Sequence, residues 1–125
     1  MPELKKFKKY NIITSFKNAI IGLVFGVVTE PSAKIQLFLM LILMSINLFY
    51  SNYIFLLIHF VFGLIVLSQE IMNTSIEYIC DLVSLEYSNK IKNIKDLAAG
   101  SVFLLSFCWG LIILFNLVSS YVKLW

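Results

Sequence analysis

From Ile35 to Gln69 the chain carries no formal charge. One spanning helix takes about 20 apolar residues, so this stretch is too long for a single straight span. Tyr50-Ser51-Asn52-Tyr53 divides it with turn-forming residues flanked by aromatics, a combination suited to a membrane interface. The pattern predicts two spans, about 33–50 and 53–70, joined by a tight hairpin. A second uncharged run from Leu97 to Val122 predicts a third span, about 97–122.

Ahead of these, Ile13, Phe16, Ile20, Leu23, Val24 and Val27 recur at helical spacing over about 6–28, and lysines crowd the start of that segment. No small-residue cleavage pattern follows, because the apolar part runs into Thr29-Glu30-Pro31. The expectation is an amphipathic helix lying in the cytoplasmic interface. Gly22 and Gly26 lie one turn apart and permit a close helix contact. Pro31 suits the first turn of the next helix, which then begins near Glu30.

Composition agrees with the pattern. Of 125 residues, 60% are hydrophobic and 14% charged, with a mean hydropathy of +0.90; soluble domains carry about 25% charge. A chain this short has too little interior to hide so much apolar surface. A cytosolic globule, a disordered tail and a disulfide scaffold are excluded, and one domain over 1–125 is expected. The fold class is all-α integral membrane.

Every basic residue is lysine, and the net charge is +3. Lys5, Lys6, Lys8, Lys9 and Lys17 precede the first long apolar run, and Lys90, Lys92 and Lys95 share one polar segment. Both segments are expected on the cytoplasmic side, with the hairpin and C-terminus outside and only Lys123 dissenting. No aromatics alternate with these lysines, so nucleic acid is not an expected partner. Cys80 and Cys108 have no metal-ligand spacing and read as packed free thiols.

The acids are unevenly spread. The stretch from Glu70 to Asp81 continues the second span without Gly or Pro, so that helix is extended to about residue 84. At about 100° per residue, Glu70, Glu77 and Asp81 share a band of roughly 40°, flanked by Asn73 and Thr74. Counted from Tyr53, Glu70 lies roughly 25 Å along the helix, near the edge of a hydrocarbon core about 30 Å thick. A carboxylate at that level marks a functional site by default. The bland alternative is a solvated helix face, but aligned acids repel one another unless a cation or lysine compensates. Mg²⁺ and Lys95 are the candidates, since oxygen-only ligands suit a hard cation. Glu30 reads either as a helix-terminus acid or as a metal ligand facing Glu77, and spacing alone favours the former. His59, Asn47 and Asn116 read as packed, hydrogen-bonded residues, and Ala98-Ala99-Gly100-Ser101 as a close-packing surface. No GxxxxGK[ST] loop, HExxH or nucleophile elbow occurs.

Residues 70–102, E-I-M-N-T-S-I-E-Y-I-C-D-L-V-S-L-E-Y-S-N-K-I-K-N-I-K-D-L-A-A-G-S-V, resemble the small prokaryotic diacylglycerol kinase / undecaprenol kinase family. They carry its ExxN[ST]xIExxxD, then EY, then KD followed by small residues. Ser15-Phe16-Lys17, Gly22 and Glu30 also look like that family's surface helix and first-span acid. The resemblance implies a homotrimeric helical bundle with active sites shared between subunits, in a bacterial plasma membrane. It implies Glu70 as general base toward a lipid hydroxyl, and Glu30 and Glu77 holding Mg²⁺ with the phosphates of ATP. Glu86, Tyr87, Ser88, Lys95 and Asp96 would line the nucleotide site, with Asn73 and Asp81 in support. Ser88 stands where many relatives have histidine, and Pro31–Gln36 departs from the asparagine, arginine and histidine common there. The D-L-A-A-G-S-V ending and the N-T-S signature look closer to undecaprenol kinases than to diacylglycerol kinases. Undecaprenol is therefore the expected acceptor, diacylglycerol the alternative, and a non-enzymatic membrane subunit the reading from another class.

Overall fold

A computed structural model describes residues 11–83 and 88–122. These residues form four helices and no strand: α1 (Ile12–Thr29), α2 (Pro31–Phe49), α3 (Tyr53–Val83) and α4 (Asn89–Val122). Each is long and apolar enough to cross a membrane.

Local sequence sets the helix ends. Asn11 caps α1 by accepting the Ile13 backbone N–H at 3.0 Å, and residues 6–10 of the expected helix lie outside the described residues. Pro31 occupies the first turn of α2, where its missing N–H costs nothing, with Glu30 as the extended N-cap. α2 ends in a Schellman turn. Ser51 N–H bonds to Leu48 O at 3.1 Å, Asn52 N–H bonds to Asn47 O at 2.8 Å, and Ser51 takes a left-handed φ of 54°. Asn52 then turns its own Oδ1 toward the Phe55 N–H and opens α3.

The third expected span, about 97–122, lies within α4, which begins eight residues earlier at Asn89 because nothing between them breaks a helix. At 1.5 Å per residue, α3 and α4 are roughly 46 and 51 Å long, well beyond a 30 Å core. α1 is as capable of spanning as the others by length and composition; Lys5, Lys6, Lys8 and Lys9, which pointed to a surface position, lie outside the described residues. Of the paired glycines only Gly26 makes a close contact: a Cβ there would meet Ile71 at 3.0 Å, whereas Gly22 faces open space.

The core is small. Met40, Leu43, Val66 and Trp109 join α2, α3 and α4, and Gly63 lets Met40 lie directly on the α3 backbone. Around it a polar knot joins the same helices. Trp109 Nε1 donates to His59 Nδ1 at 3.2 Å, and Asn116 Nδ2 donates to Asn47 Oδ1 and lies against His59 Nε2, both at 3.0 Å. His59 is fully buried. These side chains are packed and hydrogen-bonded, as their positions in apolar runs required. Cys80 is buried and Cys108 exposed, and both are free. Ala98 is buried and Ser101 accepts from Gln69 Nε2 at 2.7 Å, while Ala99 and Gly100 are exposed, so only half of that small-residue surface packs.

Candidate functional site

α3 carries Glu70, Asn73, Thr74, Glu77 and Asp81 along one side as it leaves the apolar bundle. Glu70, Asn73 and Thr74 are buried, Glu77 is half-buried and Asp81 is exposed, so the row grades from interior to water. Glu77 lies about 10 Å and Asp81 about 16 Å beyond Glu70 along the axis. Hydrogen bonds tie the row together: Asn73 Nδ2 donates to Glu77 Oε1 at 2.9 Å, and Thr74 Oγ1 donates to the Glu70 carbonyl at 3.1 Å.

Glu70 is only 8% exposed. A carboxylate so placed needs donors, and α2 supplies them. Ser32 Oγ donates to Glu70 Oε1, and Gln36 Nε2 lies 3.5 Å from Oε2. Glu30, between α1 and α2, accepts from Tyr78 OH at 3.3 Å, which sets it beside α3 one residue past Glu77. Sequence reasoning missed the parts played by Ser32, Gln36 and Tyr78. For the first two the available signal was two hydrogen-bonding residues at i, i+4 in the first turns of an otherwise apolar span.

The expected nucleotide residues are distributed differently. Lys95 Nζ pairs with Asp81 Oδ1 at 2.6 Å, joining α4 to the end of α3. That hydrogen bond, more than the nearby negative charge, holds the Lys95 ammonium above its ordinary 10.5. Asp96 is exposed on another side of α4, lining an open groove of about 630 Å³ with Asn93, Leu97, Gly100 and Ser101. Ser88 precedes α4, and its carbonyl accepts the Lys92 N–H at 2.9 Å. Glu86 and Tyr87 lie outside the described residues.

Among the described residues no group of three His, Cys, Asp or Glu side chains converges as a metal site. The chain does offer oxygens of the right kind. The Asn73 Oδ1 atom is buried without a hydrogen-bond partner, on the same amide that holds Glu77. Glu77, Glu30 and that orphaned carbonyl oxygen are all hard oxygen donors. This suits Mg²⁺, which commonly takes one or two carboxylates and completes its shell with phosphates and water.

The family model described as prokaryotic diacylglycerol kinase matches residues 17–117. No curated protein and no solved structure matches the chain. The matched span includes the acid row on α3, Ser32 and Gln36 on α2, and the Lys95-Asp96 pair on α4. The chain belongs to the prokaryotic diacylglycerol kinase family of multi-pass membrane lipid kinases, which take their phosphoryl group from ATP.

Proposed function

We propose that this protein transfers the γ-phosphoryl group of Mg·ATP to the hydroxyl of undecaprenol, giving undecaprenyl phosphate. The observation that carries the reading is a buried carboxylate, Glu70, heading a row of acids that leads out of an apolar bundle. One helix can then serve two substrates of opposite solubility. A lipid hydroxyl reaches Glu70 from the hydrocarbon edge, and the nucleotide approaches the outer acids from water.

In this mechanism Glu70 takes the proton of the lipid hydroxyl as its oxygen attacks the γ-phosphorus and the bond from that phosphorus to the bridging oxygen breaks, releasing ADP. Glu30 and Glu77 would hold Mg²⁺, and Asn73 fixes the Glu77 carboxylate by donating from Nδ2 to Oε1. The ion, when bound, neutralises charge on the phosphates. Glu86, Tyr87, Ser88, Lys95 and Asp96 line the nucleotide site, and Asp81 presents Lys95. The basic segment Lys90–Lys95 attracts the nucleotide, α1 lies in the cytoplasmic interface, and the N-terminus and active site are cytoplasmic. Three copies assemble with sites shared between neighbours. The diacylglycerol reading keeps every role and changes only the acceptor.

The test is a purified-protein assay with labelled ATP and a panel of undecaprenol and diacylglycerol. Preferential labelling of undecaprenol is expected. Preference for diacylglycerol overturns the acceptor, and transfer to neither overturns the kinase reading in favour of a non-enzymatic subunit.

A further inference from the structure

Both oxygens of Glu70 are addressed from one neighbouring helix. Ser32 lies in the first turn of α2 and Gln36 one turn on, so their side chains share a face. Ser32 Oγ donates to Oε1 and Gln36 Nε2 reaches toward Oε2. The carboxylate favours this orientation of Gln36, whose Oε1 is buried without a partner. Turning the amide round would set that oxygen against a carboxylate oxygen. The amide thus leaves one end unpaired and keeps its donor on Glu70.

We propose that Ser32 and Gln36 are positioning residues for Glu70, a two-point clamp that aims its carboxylate and fixes its rotamer. The proposal rests on the kinase reading of the same site. A carboxylate has about four lone-pair positions, so one donor on each oxygen leaves room for a substrate hydroxyl. At the membrane edge an unclamped glutamate has several rotamers and a nearby aqueous boundary to turn toward, and catalysis is lost steeply when a base is misplaced by an ångström. The clamp is built on α2 while the base stands on α3, so aim depends on how these two helices pack. Gly63 and Met40 set that packing further along the same interface.

The experiment combines two readouts. An infrared difference spectrum between wild type and Glu70→Gln isolates the carboxylate stretch of Glu70, which shifts when a donor is removed. Kinetics with saturating lipid and varied ATP measures what the donor does for turnover. For Ser32→Ala we expect a shifted band, kcat lowered about tenfold and an unchanged KM for ATP, about 1.4 kcal/mol of transition-state stabilisation. Ser32→Thr, which keeps the hydroxyl, should restore both. Gln36→Met should lower kcat severalfold, and Gln36→Glu more, because it sets a second negative charge against the first. An unshifted band in Ser32→Ala overturns the clamp, and so does a shifted band with unimpaired kcat in an active enzyme. A wild type that phosphorylates no lipid overturns the kinase reading and the positioning role together, while the band shift shows the contact itself.

Discussion

Glu70 is a buried carboxylate on an apolar helix, and its surroundings show how the cost of burial is met. Ser32 and Gln36 give hydrogen bonds from α2, and Thr74 ties back to its carbonyl. Glu70, Asn73, Glu77 and Asp81 were legible in the sequence because they stand on one helix, where spacing alone fixes the shared face. Ser32, Gln36 and Tyr78 were not, because their contacts cross between helices that spacing does not relate. The Lys95–Asp81 pair was half legible: Lys95 was expected to offset the acids, and the structure shows which acid it meets. Because the folded-state pKa of Lys95 is raised, the pair stabilises the fold fully below the ordinary lysine value and loses that contribution as pH rises through the raised one. Comparing melting temperatures of wild type and Asp81→Asn should therefore show a small gap at pH 8 that closes as pH rises past the ordinary lysine value. The gap should also shrink in high salt, since both side chains reach solvent. A gap independent of both would mean that Asp81 acts through something other than Lys95.

The helix boundaries follow local rules, and they were the part of the fold best read in advance. Pro31 and the Tyr50–Tyr53 hairpin fall where they were expected. The start of α4 was not read in advance, since hydropathy marks an apolar span rather than the end of a helix. The hairpin carries one avoidable strain, Ser51 at φ 54°. Left-handed backbone costs an L-residue roughly 1–2 kcal/mol and a glycine almost nothing. Ser51→Gly should raise stability by about 1 kcal/mol, read as the denaturant midpoint of the purified protein, and a lower midpoint would mean that the serine side chain matters to the turn. Gly63 works in the opposite sense. A Cβ there would lie 2.5 Å from Met40 Cγ and Sδ, so Gly63→Ala must push α2 away from α3 or force Met40 out of its rotamer. Overpacking of this kind costs about 1–3 kcal/mol. Met40→Ala in the same chain should recover part of the loss, and additive losses would place the defect elsewhere.

For the whole molecule, the scarcity of charge and the near absence of an interior are one fact. Trp109, Val66, Met40 and Leu43 form the one buried apolar cluster among the described residues, while large apolar side chains cover the outside of every helix. That inversion is what a lipid environment allows, and composition alone foretold it. Cohesion comes instead from close contact at Gly26 and Gly63 and from the His59–Trp109–Asn47–Asn116 knot. The polar residues thus divide by place: one set ties three helices together near the hairpin, and the other forms the graded row at the opposite end of α3. Glu70 and His59 are eleven residues apart on one helix, roughly 16 Å along its axis. The central claim is that Glu70 serves chemistry rather than cohesion. It is tested most directly by measuring phosphoryl transfer from labelled ATP to undecaprenol by wild type and Glu70→Gln, with nucleotide binding followed in the same samples. Loss of a catalytic base costs about 10²–10⁴-fold in rate, so turnover should fall by that much while nucleotide affinity is preserved. Equal loss of turnover and nucleotide affinity would contradict the claim and make Glu70 a structural residue.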